Sequence, residues 1–117
     1  MTTSQIRCLL AVLALSEAYE HIESKNVAHL IGVKKPTVHH TLALLQQQGL
    51  IDKELYGDVQ LTQEGLNLAH TLETQRDDIS LLFSRQFELS PDESAKAALA
   101  LMSELTEESL DKLCQAK

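Results

Sequence analysis

A chain of 117 residues that is 44% hydrophobic can bury one small core, so a folded protein is expected and not a disordered one. Aromatic residues make up only 3% of the chain and tryptophan is absent, which argues against recognition of single strands or RNA by stacking on exposed rings. The net charge of −7 disfavours a nucleic-acid partner at first sight. However, residues 24–61 carry four lysines against three acidic residues, whereas the segments before and after them are acidic.

Two amphipathic helices are predicted at the start of the chain. Apolar residues recur at helical spacing over residues 4–21, which predicts the first helix. Ser24 is placed to cap the second helix, which turns apolar residues to the core at positions Val27, Ala28, Leu30 and Ile31. Gly32 then supplies a tight turn. This pattern is typical of the first half of a helix-turn-helix.

A third helix and a wing follow. Pro36 lies in the first turn of this helix, where its missing N–H costs nothing, and apolar residues repeat until Gly49. Two short strands are predicted at residues 50–51 and 59–61. A recognition helix followed by a wing is a known way to present side chains to DNA. The predicted DNA-binding residues are Lys34, Lys35, Thr37, His39, His40 and Thr41 of the helix, with Lys53 and Tyr56 of the wing.

The rest of the chain is predicted to form three further helices. Thr62 caps a long helix that continues to about residue 87, and Ser90 begins a second helix that is apolar nearly all round. Thr106 begins a short final helix. A small domain cannot cover an apolar helix fully, so we expect it to pack on a second subunit through Ala95, Ala98, Leu99 and Met102. Alternatively, it is the central core helix of a monomer.

These elements predict a mainly α fold with a small β wing. Residues 1–62 would form a winged helix-turn-helix and residues 63–117 a helical linker and dimerisation region, within one compact domain. No stretch approaches the roughly 20 apolar residues of a membrane span, and the first residues lack a signal-peptide cleavage pattern. We therefore expect a cytoplasmic protein. No catalytic motif is present, so an enzyme is not expected.

The chain resembles the metal-dependent repressors of the diphtheria-toxin-repressor and manganese-transport-regulator family. The resemblance covers roughly residues 5–87 and rests on three pieces of sequence. They are Lys35-Pro36-Thr37-Val38, the stretch from Leu45 through Gly49-Leu50-Ile51, and Leu61-Thr62-Gln63-Glu64-Gly65 with the long helix after it. The resemblance implies a homodimeric transcriptional regulator that binds double-stranded DNA at a palindromic operator and represses by occupying a promoter.

The same resemblance implies a manganese or iron site, but the aligned positions depart from the family pattern. They hold Arg7 and Cys8 on the first helix, Asp77 on the long helix, and Leu99, Met102 and Ser103 on the next helix. The usual site is therefore expected to be absent or rebuilt. His70, Glu73 and Asp77 share one face of the long helix and form a candidate substitute for Mn, Fe or Zn. Alternatively, they belong to a solvated polar face.

Two other functions fit the same sequence. One is a MarR-like or PadR-like regulator with a small-ligand pocket near Leu99 and Met102. The other is a winged-helix module that binds protein instead of DNA, which the charge of −7 favours. Cys8 and Cys114 could act as a redox pair across a dimer, although a cysteine on an apolar helix face is more often a buried small hydrophobic residue.

Overall fold

The computed structural model describes residues 1–54 and 57–116. Within them, three helices precede one small two-stranded sheet and three helices follow it. The elements are α1 (Thr3–Ala18), α2 (Ser24–Ile31), α3 (Lys35–Gln47), β1 (Ile51–Lys53), β2 (Val59–Leu61), α4 (Gln63–Phe87), α5 (Pro91–Glu104) and α6 (Glu107–Gln115). The predicted mainly α fold with a β wing is confirmed. Helix α1 ends at Ala18, three residues before the predicted end at residue 21.

The chain divides into two compact units. One is Ser4–His70, and the other combines Met1–Thr3 with Thr71–Lys117. The predicted boundary between residues 62 and 63 coincides with the start of α4, whereas the first unit includes the first turns of that helix, to His70.

The first unit is a winged helix-turn-helix. Helix α2 packs against α3, α3 packs against β1, and the two strands pair antiparallel with Lys53 opposite Val59. Gly32 ends α2 in the left-handed conformation, with φ of 71°, and its N–H donates to Ala28 O, as the predicted turn requires. The largest fully buried side chains of this unit are Ile6, Leu9, Val12, Leu13, Val27, Val38, Leu42, Leu45, Ile51 and Val59.

Two predictions for α2 are wrong. Its N-cap is Glu23, whose carboxylate accepts from the backbone of the third helical residue, while Asn26 Oδ1 accepts from Glu23 N at 2.8 Å. Ser24 is the first helical residue and is buried. Leu30 was expected in the core but is 51% exposed. The buried residues of α2 are Ser24, Val27 and Ala28, spaced i, i+3 and i+4, and Leu30 falls outside that stripe.

Side-chain caps begin the helices of the carboxy-terminal half as predicted. Thr62 Oγ1 accepts from Gly65 N at 3.0 Å at the start of α4. Ser90 Oγ accepts from Glu93 N at 3.2 Å at the start of α5, and Thr106 Oγ1 accepts from Ser109 N at 3.2 Å at the start of α6. Each cap satisfies an N–H that the first turn of a helix leaves without a partner.

The residues predicted for a dimer interface divide into two pairs. Ala98 and Met102 are buried within the single chain, at 0% and 6% exposure, so their assignment to a subunit surface is wrong. They lie at i and i+4 on the buried stripe of α5. Ala95 and Leu99 are half-buried, so part of each side chain is still accessible to a second subunit. No helix in the described part of the chain combines the length and apolar character needed to cross a membrane.

Candidate nucleic-acid interface

The exposed face of α3 carries five of the six residues predicted to contact DNA from that helix. Val38, Leu42 and Leu45 anchor the opposite face and are fully buried. Their i, i+4 and i+7 spacing turns the intervening polar residues outward. The exposed residues are Lys34, Lys35, Thr37, His39 and His40.

The amino terminus of α3 is electropositive. Lys34 is the N-cap residue, and among the described residues no side-chain hydrogen bond caps the first turn. Pro36 occupies the first turn, which contains no acidic residue. The uncapped N–H groups and the helix dipole favour an anion at this end, and Lys34 and Lys35 add two formal positive charges there. The arrangement suits a phosphate group.

Thr41 is not part of the exposed face, and its prediction as a DNA contact is wrong. Thr41 is only 5% exposed, and its Oγ1 donates a hydrogen bond to Thr37 O at 3.1 Å within α3. It also hydrogen-bonds with Cys8 of α1. Thr41 therefore joins α3 to the core and presents almost no surface to a partner.

Helix α3 and the wing are joined by a direct contact. Lys53 of β1 places Nζ 2.9 Å from Nδ1 of His39. Both residues were predicted to contact DNA, but separately, since their sequence spacing gave no sign of the hydrogen bond. Tyr56, the other predicted wing residue, lies outside the described residues.

An ion pair that the sequence analysis missed fixes the base of the wing. His21 Nδ1 lies 3.0 Å from Asp58 Oδ2, and Val59 N donates to Ile22 O at 2.8 Å. The hydrogen bond and the negative charge of Asp58 raise the pKa of His21 above its ordinary value. The segment between α1 and α2 thus supports the strand β2 by both backbone and side-chain contacts.

Arg7 and Cys8 are structural residues of α1. The Arg7 guanidinium donates from Nη2 to Ile31 O at 3.0 Å and so satisfies a carbonyl at the end of α2. Cys8 is 1% exposed, and burial raises the pKa of its thiol. Arg7 therefore supports the helix-turn-helix, a role that the sequence did not reveal.

The residues aligned with the metal-binding positions of the repressor family that the sequence resembles do not fit a metal ion. Arg7 presents a cation, and Asp77 pairs with Arg76 at 3.1 Å. Ser103 Oγ donates to Ala100 O and accepts from Thr3 Oγ1 at 3.2 Å. The side chains of Leu99 and Met102 offer an aliphatic chain and a weak thioether in place of the hard ligands that Mn or Fe requires.

The substitute metal site is not assembled either. His70, Glu73 and Asp77 all lie on α4. In residues 1–54 and 57–116, no three His, Cys, Asp or Glu side chains form a group that could hold a metal ion. The prediction of a ligand set from these three residues is therefore wrong.

The small-ligand alternative predicted an apolar pocket around Leu99 and Met102. Met102 is buried, and an open groove lies instead between α4 and α5. The groove has a mixed polar and apolar lining, formed by Arg76, Asp77, Ser80, Leu81, Ser84, Pro91, Ser94 and Ala95. Its composition differs from the apolar lining that an effector pocket of this kind was expected to have.

Comparison with known proteins shows which solved structures share this fold. No protein-family model and no curated protein matches the sequence. The solved structure of the manganese regulator SloR matches with a TM-score of 0.85 and 24% identity, over 98% of this chain and 54% of SloR. The metal-dependent transcriptional regulator MtsR matches with a TM-score of 0.83 and 22% identity, over 99% of this chain and 54% of MtsR.

A hypothetical protein from Sulfolobus solfataricus matches with a TM-score of 0.72 and 17% identity, over 99% of this chain and 88% of that protein. The chain therefore has a winged-helix fold that metal-dependent transcriptional regulators share. It spans about half the length of SloR and of MtsR.

Proposed function

We propose that this protein is a DNA-binding transcriptional regulator, a repressor and not an enzyme, that acts as a homodimer on a palindromic operator. One observation carries the proposal. The electropositive start of α3 and its exposed polar face lie on a buried apolar scaffold and are joined to the wing by the contact between His39 and Lys53. Lys34 and Lys35 would contact phosphates, and Thr37, His39 and His40 would face base edges.

A homodimer is proposed for two reasons. A single recognition segment has few positive charges, so that two copies are needed for appreciable affinity. In addition, half-buried Ala95 and Leu99 on α5, with exposed Leu81 and Phe87 on α4, leave apolar surface on the second unit. A dimer with two-fold symmetry would read a palindrome with one recognition helix in each half-site.

The proposed regulator does not depend on manganese at the usual family site. This part of the proposal is supported by the hydrogen bonds of Arg7 and Ser103 and by the burial of Met102, which leave no suitable ligand set at these positions. We expect equal DNA binding by protein stripped of metal and by protein supplied with Mn(II).

The test is a fluorescence anisotropy titration with a labelled duplex that the wild-type protein selects from a random-sequence pool. The Lys34→Ala, Lys35→Ala double variant should bind at least tenfold more weakly. The slope of its plot of log affinity against log salt should be shallower by roughly 3.6, since the dimer loses two phosphate contacts per subunit and each contributes about 0.9. Enrichment of palindromes and a dimer mass in sedimentation would support the homodimer.

The matched control is the Lys96→Ala, Lys112→Ala double variant. It removes the same charge from exposed lysines of α5 and α6, each of which pairs with an acid one turn earlier. This variant should bind as the wild type does. Equal losses in the two double variants would show that net charge alone governs binding. No binding by the wild-type protein at low salt would favour the protein-interaction module.

A further inference from the structure

The contact between Lys53 and His39 determines where the imidazole carries its proton. The ammonium group of lysine can only donate, so Nδ1 of His39 must accept the hydrogen bond at 2.9 Å. A neutral imidazole has one N–H and one acceptor nitrogen. The ring of His39 therefore carries its proton on Nε2, and this edge is a hydrogen-bond donor.

The lysine that makes this contact is held by the sheet. Lys53 pairs with Val59 across the two strands, and Val59 is 1% exposed. Ile51, two residues before Lys53 in β1, is fully buried. These buried neighbours fix the register of β1, so that the stem of Lys53 starts from a defined position. His39, by contrast, is exposed, and its Nε2 edge is not engaged by any hydrogen bond found among the described residues.

We propose that Lys53 is a positioning residue and that His39 uses its Nε2–H to recognise a guanine in the major groove. This proposal rests on the proposed DNA binding. Guanine presents two adjacent acceptors, N7 and O6, to a single donor. Adenine places an amino donor beside N7, cytosine presents an amino donor, and thymine offers one acceptor beside a methyl group. A fixed N–H donor therefore favours guanine.

Lys53 has two further N–H donors, which remain available for a phosphate while the first holds His39. The two roles can be separated by their effect on sequence preference. A phosphate contact changes the affinity for all sequences alike, whereas the orientation of His39 changes the preference for one base. Base preference is therefore the quantity to measure.

The first experiment uses the free protein and needs no DNA. Nitrogen-15 NMR at about pH 8, where imidazoles are largely neutral, reports which ring nitrogen of His39 is protonated. The wild-type protein should show the Nε2–H form alone, and Lys53→Met should show a mixture of both forms. A wild-type ring protonated on Nδ1, or an unchanged form in Lys53→Met, would overturn the role given to Lys53.

The second experiment repeats the selection from random-sequence DNA with two variants of His39. The amide nitrogen of glutamine lies near the position of Nε2, whereas the asparagine amide lies near the position of Nδ1. His39→Gln should retain the guanine preference at the contacted position. His39→Asn should reduce it about fivefold, the order expected for one hydrogen bond. Lys53→Met should reduce it as well, and the double variant should lose no more than His39→Asn alone.

The control is His29→Asn, which changes an exposed histidine of α2 that lies outside the proposed contact surface. It should leave the base preference unchanged. DNA binding with the same base preference in His39→Asn as in the wild type would overturn the guanine proposal but leave the DNA-binding proposal intact. A wild-type protein that binds no DNA would overturn both, whatever the tautomer of His39.

Discussion

Gly65 lies directly against the backbone carbonyl of Leu50. A Cβ at position 65 would overlap the Leu50 oxygen and approach its carbonyl carbon to 2.8 Å. The same carbonyl accepts from Thr62 N at 3.1 Å, and Thr62 Oγ1 donates to Gly49 O at 2.7 Å. The threonine and glycine of the Leu-Thr-x-x-Gly sequence thus join the residues that follow α3 to the start of α4.

Substitution of Gly65 by alanine should destabilise the protein. In an ordinary helix interior this change would be favourable by about 1 kcal/mol, because glycine is a poor helix former. Here the overlap with the Leu50 carbonyl forces the backbone to shift, and we expect a net loss of about 2–4 kcal/mol in the free energy of unfolding. Urea denaturation followed by circular dichroism measures it, since the chain has no tryptophan for fluorescence.

Gly32→Ala is the comparison for that experiment. Gly32 has φ of +71°, and within the described part of the chain no heavy atom beyond its chain neighbours lies within 4 Å of a new Cβ. Its loss should be limited to the conformational strain of alanine in the left-handed region, about 1 kcal/mol. A Gly65→Ala variant as stable as the wild type would contradict the close approach to Leu50.

Thr62 should contribute through its hydroxyl and not through its methyl group. Thr62→Val keeps the shape but removes the donor to Gly49 O and the acceptor for Gly65 N. We expect it to lower the free energy of unfolding by about 1–2 kcal/mol, as for other lost caps. Thr62→Ser keeps the hydroxyl and should lose much less. A loss in Thr62→Ser as large as that in Thr62→Val would show that the methyl group contributes as much as the hydroxyl.

Local sequence signals predicted the helix starts well because each cap acts within one turn. Ser90, Thr106 and Thr62 all accept from a backbone N–H three residues later. Ser24 failed as a predicted cap although it has the same chemistry, because Glu23 and Asn26 form a reciprocal cap one residue earlier. Residue type alone did not distinguish the two possible starts.

Periodicity contained more information about the candidate site than residue chemistry did. Val38, Thr41, Leu42 and Leu45 follow the i, i+3, i+4 and i+7 pattern of one helix face, so the spacing alone places Thr41 in the core. Its hydroxyl suggested a DNA contact instead. The contact between His39 and Lys53 was beyond such reasoning, because it depends on how the strand β1 folds back toward α3.

The ion pair of His21 and Asp58 predicts a pH dependence of stability. The pKa of His21 is raised in the folded protein by the hydrogen bond to Asp58 and by its charge. A raised folded pKa means that the stabilisation is fully present below the ordinary pKa of histidine, about 6.5, and is lost as the pH rises through the folded value. The melting temperature should therefore fall as the pH rises through that interval.

Asp58→Asn supplies the control for this effect. It should return the pKa of His21 toward its ordinary value, which an NMR titration of the His21 ring measures directly, and it should flatten the dependence of melting temperature on pH. His21→Gln should flatten it in the same way. If the ring of His21 titrates alike in the wild-type and Asp58→Asn proteins, the ion pair does not persist in solution.

The two cysteines should differ sharply in reactivity. Cys8 is 1% exposed and burial raises the pKa of its thiol, so little of the nucleophilic thiolate is present and reagents cannot reach it. Cys114 lies on α6 and is half-buried.

Under native conditions iodoacetamide should modify Cys114 well before Cys8, as measured by mass spectrometry of the peptides. In urea, where both thiols are exposed, the two rates should become similar. Rapid native labelling of Cys8 would show that α1 opens readily and would restore the redox hypothesis for this residue, which its burial argues against.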